Sequence, residues 1–392
     1  MATTILSAAA STKDPLANEL KVSMFDNIRM LDADDTQFTT MLQSSQLQKE
    51  KANSFKEEWL EDLYLPRLST LGAGITAAAD TIITTATSEG YYFRAGDLVR
   101  IVTTGECLLV TAGNGVSSFT ATRGIGTVAA ITAASANADL VIVGHSDAQG
   151  ATLPTIMMTQ RTTNYNYTVI QRHSYGFTRT AMQTQWYGGP LLDKERAKKI
   201  VEHKRSIENS LFFGPRYYTS TGPQHTSGGL VEFVTTNVSS AAGTFTKANL
   251  QTFLRTGLQY GNLGQKVLFA SPLVAATMAQ FLQDNWIRAQ PDEKVFGARI
   301  NGVIGSAYGG PEVPVVIKRE WNNFQTGTGN QYGSNAFLVD TQNVQYLELQ
   351  PTVQLRNRQA PDYDGVKEEY LTEHTFRCEI EKSHQLWTNI TG

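Results

Sequence analysis

The segment from Leu191 to Phe213 is the most constraining feature of this 392-residue chain, because ten residues between Asp193 and Glu208 carry a full charge. Before it, no lysine occurs between Lys56 and Lys194, and Thr, Ala, Gly and Val predominate. The charged segment predicts a polar helix with a narrow apolar stripe, which is poor material for a buried core. Neutral, threonine-rich strands are poor material for an active site. The pattern favours a structural protein whose partners are copies of itself.

Clear signals mark both ends of this predicted helix. Pro190 suits a first helical turn, and Gly214 followed by Pro215 ends the pattern. A helix of this length spans roughly 35 Å at about 1.5 Å per residue. His203 lies among the charges and is interpreted as a surface histidine.

The composition excludes several classes of protein. Charged residues make up 18% of the chain, below the usual quarter, and the formal net charge is -3. This balance argues against a protein built mainly to grip nucleic acid through a basic face. Cys107 and Cys378 are too few and too far apart for a disulfide framework or a four-cysteine zinc site. No secretory signal and no run of ~20 apolar residues is present, so we expect no membrane partner.

The first half of the chain predicts an arm, a short helix and a β unit. Residues 1–50 have sparse apolar positions, including Phe38, Met41 and Leu42, and suit an arm laid on another surface. Residues 55–68 predict a helix with one apolar face, and its acidic face is interpreted as solvated. Repeated short strand signals between residues 70 and 145, separated by glycines, predict a small barrel or sandwich. The run GIGT at Gly124 is only a weak echo of a phosphate loop, because no Lys-Ser/Thr ending follows.

The second half predicts a mixed α+β domain. Aromatic alternation between residues 155 and 187 indicates a strand pair. Further elements are predicted as helices at 246–260 and 272–286, with Ser271 as an N-cap, and as strands at 267–271, 314–320 and 336–340. Residues 366–390 predict one long strand, with Phe376, Cys378 and Ile380 on the same face.

Signatures of catalysis and of metal binding are missing from the sequence. The motifs HExxH, GxSxG and GxxxxGK[ST] are absent, and no two of the six histidines are closer than ten residues. We therefore predict that the chain is not an enzyme and needs no cofactor or metal.

Several longer motifs resemble the major capsid proteins of tailed bacteriophages, which have the Hong Kong ninety-seven phage fold. They are WLEDLYLPRL from Trp59, FRAGDLVRI from Phe93, WYGGPLLDKERAKKIVEHKRSIENSLFFGPR from Trp186, TSGGLVEFV from Thr226 and PDYDGVKEEYLTEHTFRCEIEKSHQLW from Pro361. The order of parts matches over nearly the whole chain. It resembles a subfamily that carries a small β domain within the extended-loop region.

This resemblance implies a division of the chain into named parts. Its segments are an N-terminal arm at 1–50, an extended loop at 51–185 with a β domain at about 70–150, the spine helix of a peripheral domain at 186–222, an axial domain at 223–350 and C-terminal peripheral strands at 351–392. The implied function is self-assembly into pentamers and hexamers of an icosahedral head shell that encloses double-stranded DNA. The implied location is the virion, with assembly in the host bacterial cytoplasm.

The resemblance also implies partners and contacts. Some members of this fold join subunits through a lysine in the extended loop, and residues 57–193 contain none, so we expect non-covalent subunit contacts. Met1 is present, so we expect a separate scaffolding protein rather than a removed N-terminal scaffold. Portal and decoration proteins are further expected partners, and the DNA is expected to be contacted without sequence readout.

Candidate assembly contacts lie on the two most charged segments. They are Trp59, Glu61, Arg67, Lys194, Glu195, Arg196, Lys198, Glu202, Arg205 and Glu208. Three alternatives stay open at this point. The first is another virion component, such as a head-decoration or tail protein. The second is a hydrolase that uses carboxylates such as Glu57 or Glu61, and the third is a carbohydrate-binding module.

Overall fold

The computed structural model describes residues 36–44, 50–113, 115–186, 189–244, 246–279, 313–324 and 332–391, together with short strands between 287 and 304. The chain forms two compact units. The large unit comprises Met1–Trp59 and Asn164–Gly392, and the small unit comprises Leu60–Thr163. The polypeptide therefore leaves the large unit once and returns to it once.

Six α-helices occur in the described residues. They are α1 (Gln37–Leu42), α2 (Arg179–Gln183), α3 (Leu191–Phe213), α4 (Leu230–Phe233), α5 (Lys247–Gly257) and α6 (Pro272–Ala279). The bounds predicted for the charged helix are confirmed by α3. Among the helices that the structure describes, none has the length and apolar character needed to cross a membrane.

Strands dominate the rest of the described chain. They are β1 (Lys56–Glu61), β2 (Leu68–Thr70), β3 (Ile82–Thr84), β4 (Asp97–Ile101), β5 (Cys107–Gly113), β6 (Ser118–Thr122), β7 (Asp139–His145), β8 (Thr162–Tyr167), β9 (Val169–Thr178), β10 (Tyr217–Tyr218), β11 (His225–Thr226), β12 (Val238–Thr244), β13 (Lys266–Ala270), β14 (Ile287–Arg288), β15 (Lys294–Val295), β16 (Ala298–Arg299), β17 (Gly302–Ile304), β18 (Val313–Ile317), β19 (Ala336–Asp340), β20 (Val344–Leu355), β21 (Gly365–Cys378) and β22 (Gln385–Thr391).

The small unit is a closed barrel. Its antiparallel sheet has the order β2-β7-β4-β5-β6-β3. Hydrogen bonds from Gly72 N to Thr84 O and from Ala86 N to Thr70 O, both 2.9 Å long, join the two ends of the sheet. Alternate residues of each strand point inward, which is why short strands with period-two patterning enclose an apolar core. Between the two architectures expected for residues 70–145, the hydrogen bonds select the barrel.

A buried ion pair fixes one end of this barrel. Arg123 donates to both carboxylate oxygens of Glu106, at 2.9 and 2.7 Å, and both side chains are almost fully buried. Burial raises the pKa of Glu106, but the hydrogen bonds from Arg123, Ile131 N and Gly124 N to its carboxylate outweigh this effect, so the pKa lies below its ordinary value. The amide of Gly124, in the run that echoes a phosphate loop, is thus already bound by a carboxylate of this chain.

The large unit is built on a sheet that is buried on both faces. Its order is β12-β22-β19-β13-β18-β17-β14. Every residue of β13 is buried, and successive side chains alternate between two apolar clusters. One cluster includes α1 and the second half of α3, and the other includes α5 and α6. The predicted N-cap at Ser271 is confirmed, because its hydroxyl accepts a hydrogen bond from Val274 N at 3.2 Å.

A second sheet of the large unit has the order β20-β21-β9, and α3 is hydrogen-bonded to it. Gln171 Nε2 on β9 donates to Ser210 Oγ on α3 at 3.0 Å, and Tyr370 on β21 donates to Arg196 O at 3.3 Å. This three-stranded sheet is the surface on which the charged helix rests.

The predicted helix at residues 55–68 is wrong. The chain there forms β1 and then continues without regular structure to β2. Trp59 is buried against Phe233, with ring centroids 5.7 Å apart, whereas Leu60 and Leu63 are exposed. Pairing of β1 with β8 outweighs the helical spacing of the apolar residues, because strand partners are tertiary neighbours that local sequence does not encode.

Three further expectations differ from the structure. The single strand at 366–390 is interrupted, because Ile380 adopts φ 50° and is exposed, although Cys378 is buried. Strand β22 pairs with β12 and β19, so it joins the seven-stranded sheet rather than the three-stranded one. In the predicted arm, Phe38, Met41 and Leu42 belong to the chain's own core, while residues 1–35 and 45–49 lie outside the described residues. Part of the helix predicted at 272–286 also lies outside them.

Candidate functional site

The first half of α3, from Leu191 to Glu202, holds five of the ten predicted contact residues, and one of them, Arg196, is bound to the sheet below it. Arg196 donates to Glu368 on β21 through two bonds of 2.8 and 2.5 Å, and also to Asp193 at 3.0 Å. Tyr175 donates to the same Glu368 carboxylate at 2.7 Å. The hydrogen bonds from Arg196 hold the pKa of Glu368 below its ordinary value, against the effect of burial. Arg196 therefore fastens α3 to the three-stranded sheet.

Other charged residues in this half of the helix remain partly open to solvent. Lys194 and Glu195 are half-exposed and Lys198 is exposed, and Arg205 in the second half is also half-exposed. Glu202 accepts from Lys199 at 2.5 Å, and this bond lowers the pKa of Glu202. Ion pairs within one exposed turn contribute little to stability, so these side chains can be used for contacts outside the chain.

Glu208, in the second half of the helix, is fully buried. Its carboxylate accepts from Phe38 N and Thr39 N, both at 2.8 Å, and from Lys318 Nζ at 2.5 Å. Lys318 also donates to Gln37 Oε1 at 3.0 Å. The carboxylate thus caps the N-terminus of α1 and pairs with a buried lysine from the strand side of the core. The charge of Glu208 therefore interacts with groups of its own chain.

The interpretation of His203 as a surface histidine is wrong. The ring is fully buried between α3 and the three-stranded sheet, with Nδ1 2.9 Å from His173 Nδ1 and Nε2 2.7 Å from Thr372 Oγ1. Burial lowers the pKa of His203 to about 4, so the ring is neutral at pH 7. The neighbouring charges in the sequence suggested a surface, but the facing residues come from strands 30 and 169 positions away.

The remaining predicted contacts lie around β1. Trp59 is buried, Glu61 is half-exposed, and Arg67 is exposed while its carbonyl accepts from Ile142 N at 2.9 Å. In the part of the chain that the structure describes, no group of three His, Cys, Asp or Glu side chains is arranged to hold a metal ion.

Two segments of the small unit carry large apolar side chains that face solvent. On the segment after β1 these are Leu63, Tyr64 and Leu65, and Tyr64 is 99% exposed. On the segment before β8 they are Leu153, Ile156 and Met158, and the first and last are each 85% exposed. Exposed apolar residues that cluster along a segment indicate a surface for another macromolecule. The sequence contained this signal, but the predicted helix at 55–68 concealed it.

The comparison that decides the family covers almost the whole chain. The family model for the SU10 major capsid protein matches residues 3–391. The chain belongs to this family.

A curated relative agrees with membership of this major capsid protein family, and two solved structures share the fold. The major capsid protein of Pseudomonas phage PaMx41 is 30% identical over 162 residues, which span 40% of this chain and 38% of that relative. The capsid chain of a native GTA particle has a TM-score of 0.52 at 9% identity and covers 98% of this chain and 100% of its own. The chain of the empty GTA capsid has a TM-score of 0.50 at 10% identity, with 99% and 100% covered.

At such low identity the structural matches establish the fold alone. They confirm the α+β capsid fold of the Hong Kong ninety-seven phage type that the sequence motifs predicted. This capsid family is a structural one, which agrees with the interpretation of the chain as a non-enzyme.

Proposed function

We propose that this major capsid protein assembles with copies of itself into the closed head shell of a tailed bacteriophage, as pentamers and hexamers, and encloses double-stranded DNA. Family membership over residues 3–391 carries the proposal. The two exposed apolar segments of the small unit support it, because a subunit in a shell needs surfaces that are covered only after assembly. The occupant that we assign to these segments is a second copy of this chain.

The same proposal assigns the elements of the fold to the domains of a capsid subunit. Helix α3 with β9, β20 and β21 is assigned to the peripheral domain, and the seven-stranded sheet with α5 and α6 to the axial domain. Because β22 pairs within the seven-stranded sheet, residues 385–391 are assigned to the axial domain rather than to the peripheral strands. The barrel is assigned as a domain within the extended-loop region.

Electron microscopy of the purified full-length chain tests the role of the exposed segments. We expect closed shells for the natural chain and a loss of shells for a variant that combines Leu153→Ser, Ile156→Ser and Met158→Ser, because the contacting apolar area is removed. A variant with Thr152→Ser and Thr155→Ser on the same segment is the control. Shells formed equally well by the triple variant would contradict the assignment.

Subunit contacts are proposed to be non-covalent. Boiling mature particles in detergent should then release single chains of 43.0 kDa, whereas a ladder of multimers would contradict the proposal. The proposed partners are scaffolding, portal and decoration proteins and packaged DNA bound without sequence readout. Assembly is assigned to the host bacterial cytoplasm and the final location to the virion.

A further inference from the structure

Three histidines from three elements lie along the contact between α3 and the three-stranded sheet. His203 comes from α3, His173 from β9 and His374 from β21. His203 and His374 are fully buried, and His173 is half-buried. In each ring at least one nitrogen faces a polar group, and these partners indicate which nitrogen carries the hydrogen in the neutral ring.

Only one hydrogen lies between the facing Nδ1 atoms of His203 and His173. Thr372 donates its hydroxyl hydrogen to Thr352 Oγ1 at 2.8 Å, so its oxygen accepts from His203 Nε2 at 2.7 Å. His203 Nδ1 is then a bare acceptor, and His173 Nδ1 donates to it across 2.9 Å. A proton added to His173 at Nε2 leaves this bond intact. A proton added to His203 at Nδ1 places two N–H groups against each other.

His374 has equally little room for a second proton. Ser210 donates to Ile207 O at 2.7 Å, so its oxygen accepts from His374 Nε2 at 3.3 Å. His374 Nδ1 is buried and has no hydrogen-bond partner among the described residues. Protonation of that nitrogen would bury an N–H group without an acceptor, next to a new positive charge.

The surrounding charges do little to favour protonation. On α3, Lys199 lowers the pKa of His173 and Glu202 raises it, and burial is the largest cause of its lowered value. On the sheet, Arg172 of β9 is paired with Glu369 of β21 at 2.6 Å. The other titratable groups that face the cluster are Tyr370 of β21, near His203, and Tyr346 and Glu348 of β20, near His374. Burial lowers the pKa of His203 to about 4 and that of His374 to about 3.

We propose that His173, His203 and His374 form a proton-operated latch that holds the middle of α3 against the three-stranded sheet when neutral and releases it in acid. The direction of the pH effect follows from the linkage between proton binding and release of the helix. The released state takes up protons near the ordinary histidine pKa of 6.5, whereas the closed state resists protonation down to about 4 at His203. Falling pH therefore favours release, and the contribution of His203 begins near pH 6.5 and reaches its full size below about pH 4.

Hydrogen–deuterium exchange of the full-length chain at pH 7.0 and pH 5.0, corrected for intrinsic exchange rates, tests the latch. With pKa values of about 4 closed and 6.5 open, His203 alone increases the opening equilibrium of residues 199–207 by about 20-fold between these pH values. In His203→Gln the increase should shrink by that factor, because glutamine can keep both hydrogen bonds but does not titrate.

His384→Gln is the matched control. His384 is also fully buried, and burial lowers its pKa to about 4, but its Nδ1 accepts from Asp340 N at 3.1 Å in the seven-stranded sheet. This variant should leave the acid-induced exchange of residues 199–207 unchanged. If a substitution acted only on the structure, without any coupling to protons, it would change the exchange of residues 199–207 by the same factor at pH 7.0 and at pH 5.0.

A second variant covers the case in which His203→Gln does not fold. In His173→Gln the amide can turn its oxygen toward a protonated His203, which removes the clash of two N–H groups. The acid-induced increase should again shrink. An increase in either folded variant as large as that of the natural chain, or no increase in the natural chain, would overturn the latch.

Discussion

The two halves of α3 both carry charged residues but play opposite parts. Between Leu191 and Glu202 no side chain is buried, and charged groups pair within the helix or, at Arg196, with Glu368 on the central strand of the sheet. From His203 to Phe212 the helix enters the main core, where Phe212 contacts Phe38 and Trp321 with ring centroids 4.7 and 4.9 Å away. The contrast shows that a helix with low overall hydrophobicity can still anchor a core if its apolar residues are concentrated at one end.

The difference in stability between the two halves of α3 can be measured by urea unfolding. Tryptophan fluorescence is a suitable probe, because it is specific for the large unit. All five tryptophans lie in the sequence ranges of the large unit, so their fluorescence reports the unfolding of that unit. Substitutions in the buried half should lower the free energy of unfolding, whereas substitutions in the open half should chiefly alter assembly.

The largest effect is expected for Phe212→Ala. Removing a fully buried ring that touches several aromatic neighbours leaves a cavity and should lower the free energy of unfolding by about 4 kcal/mol. Leu192→Ala, at a half-exposed position of the first turn, is the control and should cost less than about 1.5 kcal/mol. Equal losses in the two variants would contradict the contrast between the halves.

Glu208→Gln should have the next largest effect and should lower the free energy of unfolding by about 3 kcal/mol. The change leaves Lys318 buried without its counter-charge and turns an amide toward the donors at the start of α1. Glu202→Gln, whose carboxylate is partly exposed, should cost less than about 1 kcal/mol. A smaller loss for Glu208→Gln than for its control would mean that the buried pair adds nothing to stability.

Arg196→Met tests the fastening of the first half to the sheet. The variant leaves the buried Glu368 without its charged donor and should cost about 2 kcal/mol at pH 7. Because the pKa of Glu368 is lowered in the folded chain, this contribution is present above the ordinary value of 4.5 and is lost as pH falls below it. The variant should therefore show a flatter loss of stability in acid, whereas Lys198→Met, which removes only a smaller contribution to the lowered pKa of Glu202, should change the pH profile much less.

Lys194→Ala should have the smallest effect on the chain itself, within about 0.5 kcal/mol, because the side chain is half-exposed. If this end of the helix contacts another subunit, the same change should still reduce the yield of shells seen by electron microscopy. Full shell yield together with unchanged stability would remove Lys194 from the predicted contacts.

Elements with strong local signals could be predicted from the sequence. The bounds of α3 follow from Pro190 and Gly214, the strand Ala336–Asp340 from a short apolar run, and the strands of the barrel from period-two patterning between glycines. These signals depend on backbone preferences and on solvent exposure averaged over one face, which neighbouring residues determine. Family-specific motifs then supplied the capsid fold.

Strand pairs and hydrogen bonds between residues distant in sequence depend on the tertiary structure. Residues 55–68 had helical spacing but contain strand β1 followed by an irregular stretch, because β8 offers backbone hydrogen bonds that sequence spacing does not reveal. His203 and Glu208 have surface-like neighbours, yet they are buried because β9, β21 and Lys318 supply their hydrogen-bond partners. Burial of a polar group depends on whether a distant segment satisfies it, so the sequence determined the elements of this protein and the fold determined which charged residues became part of its core.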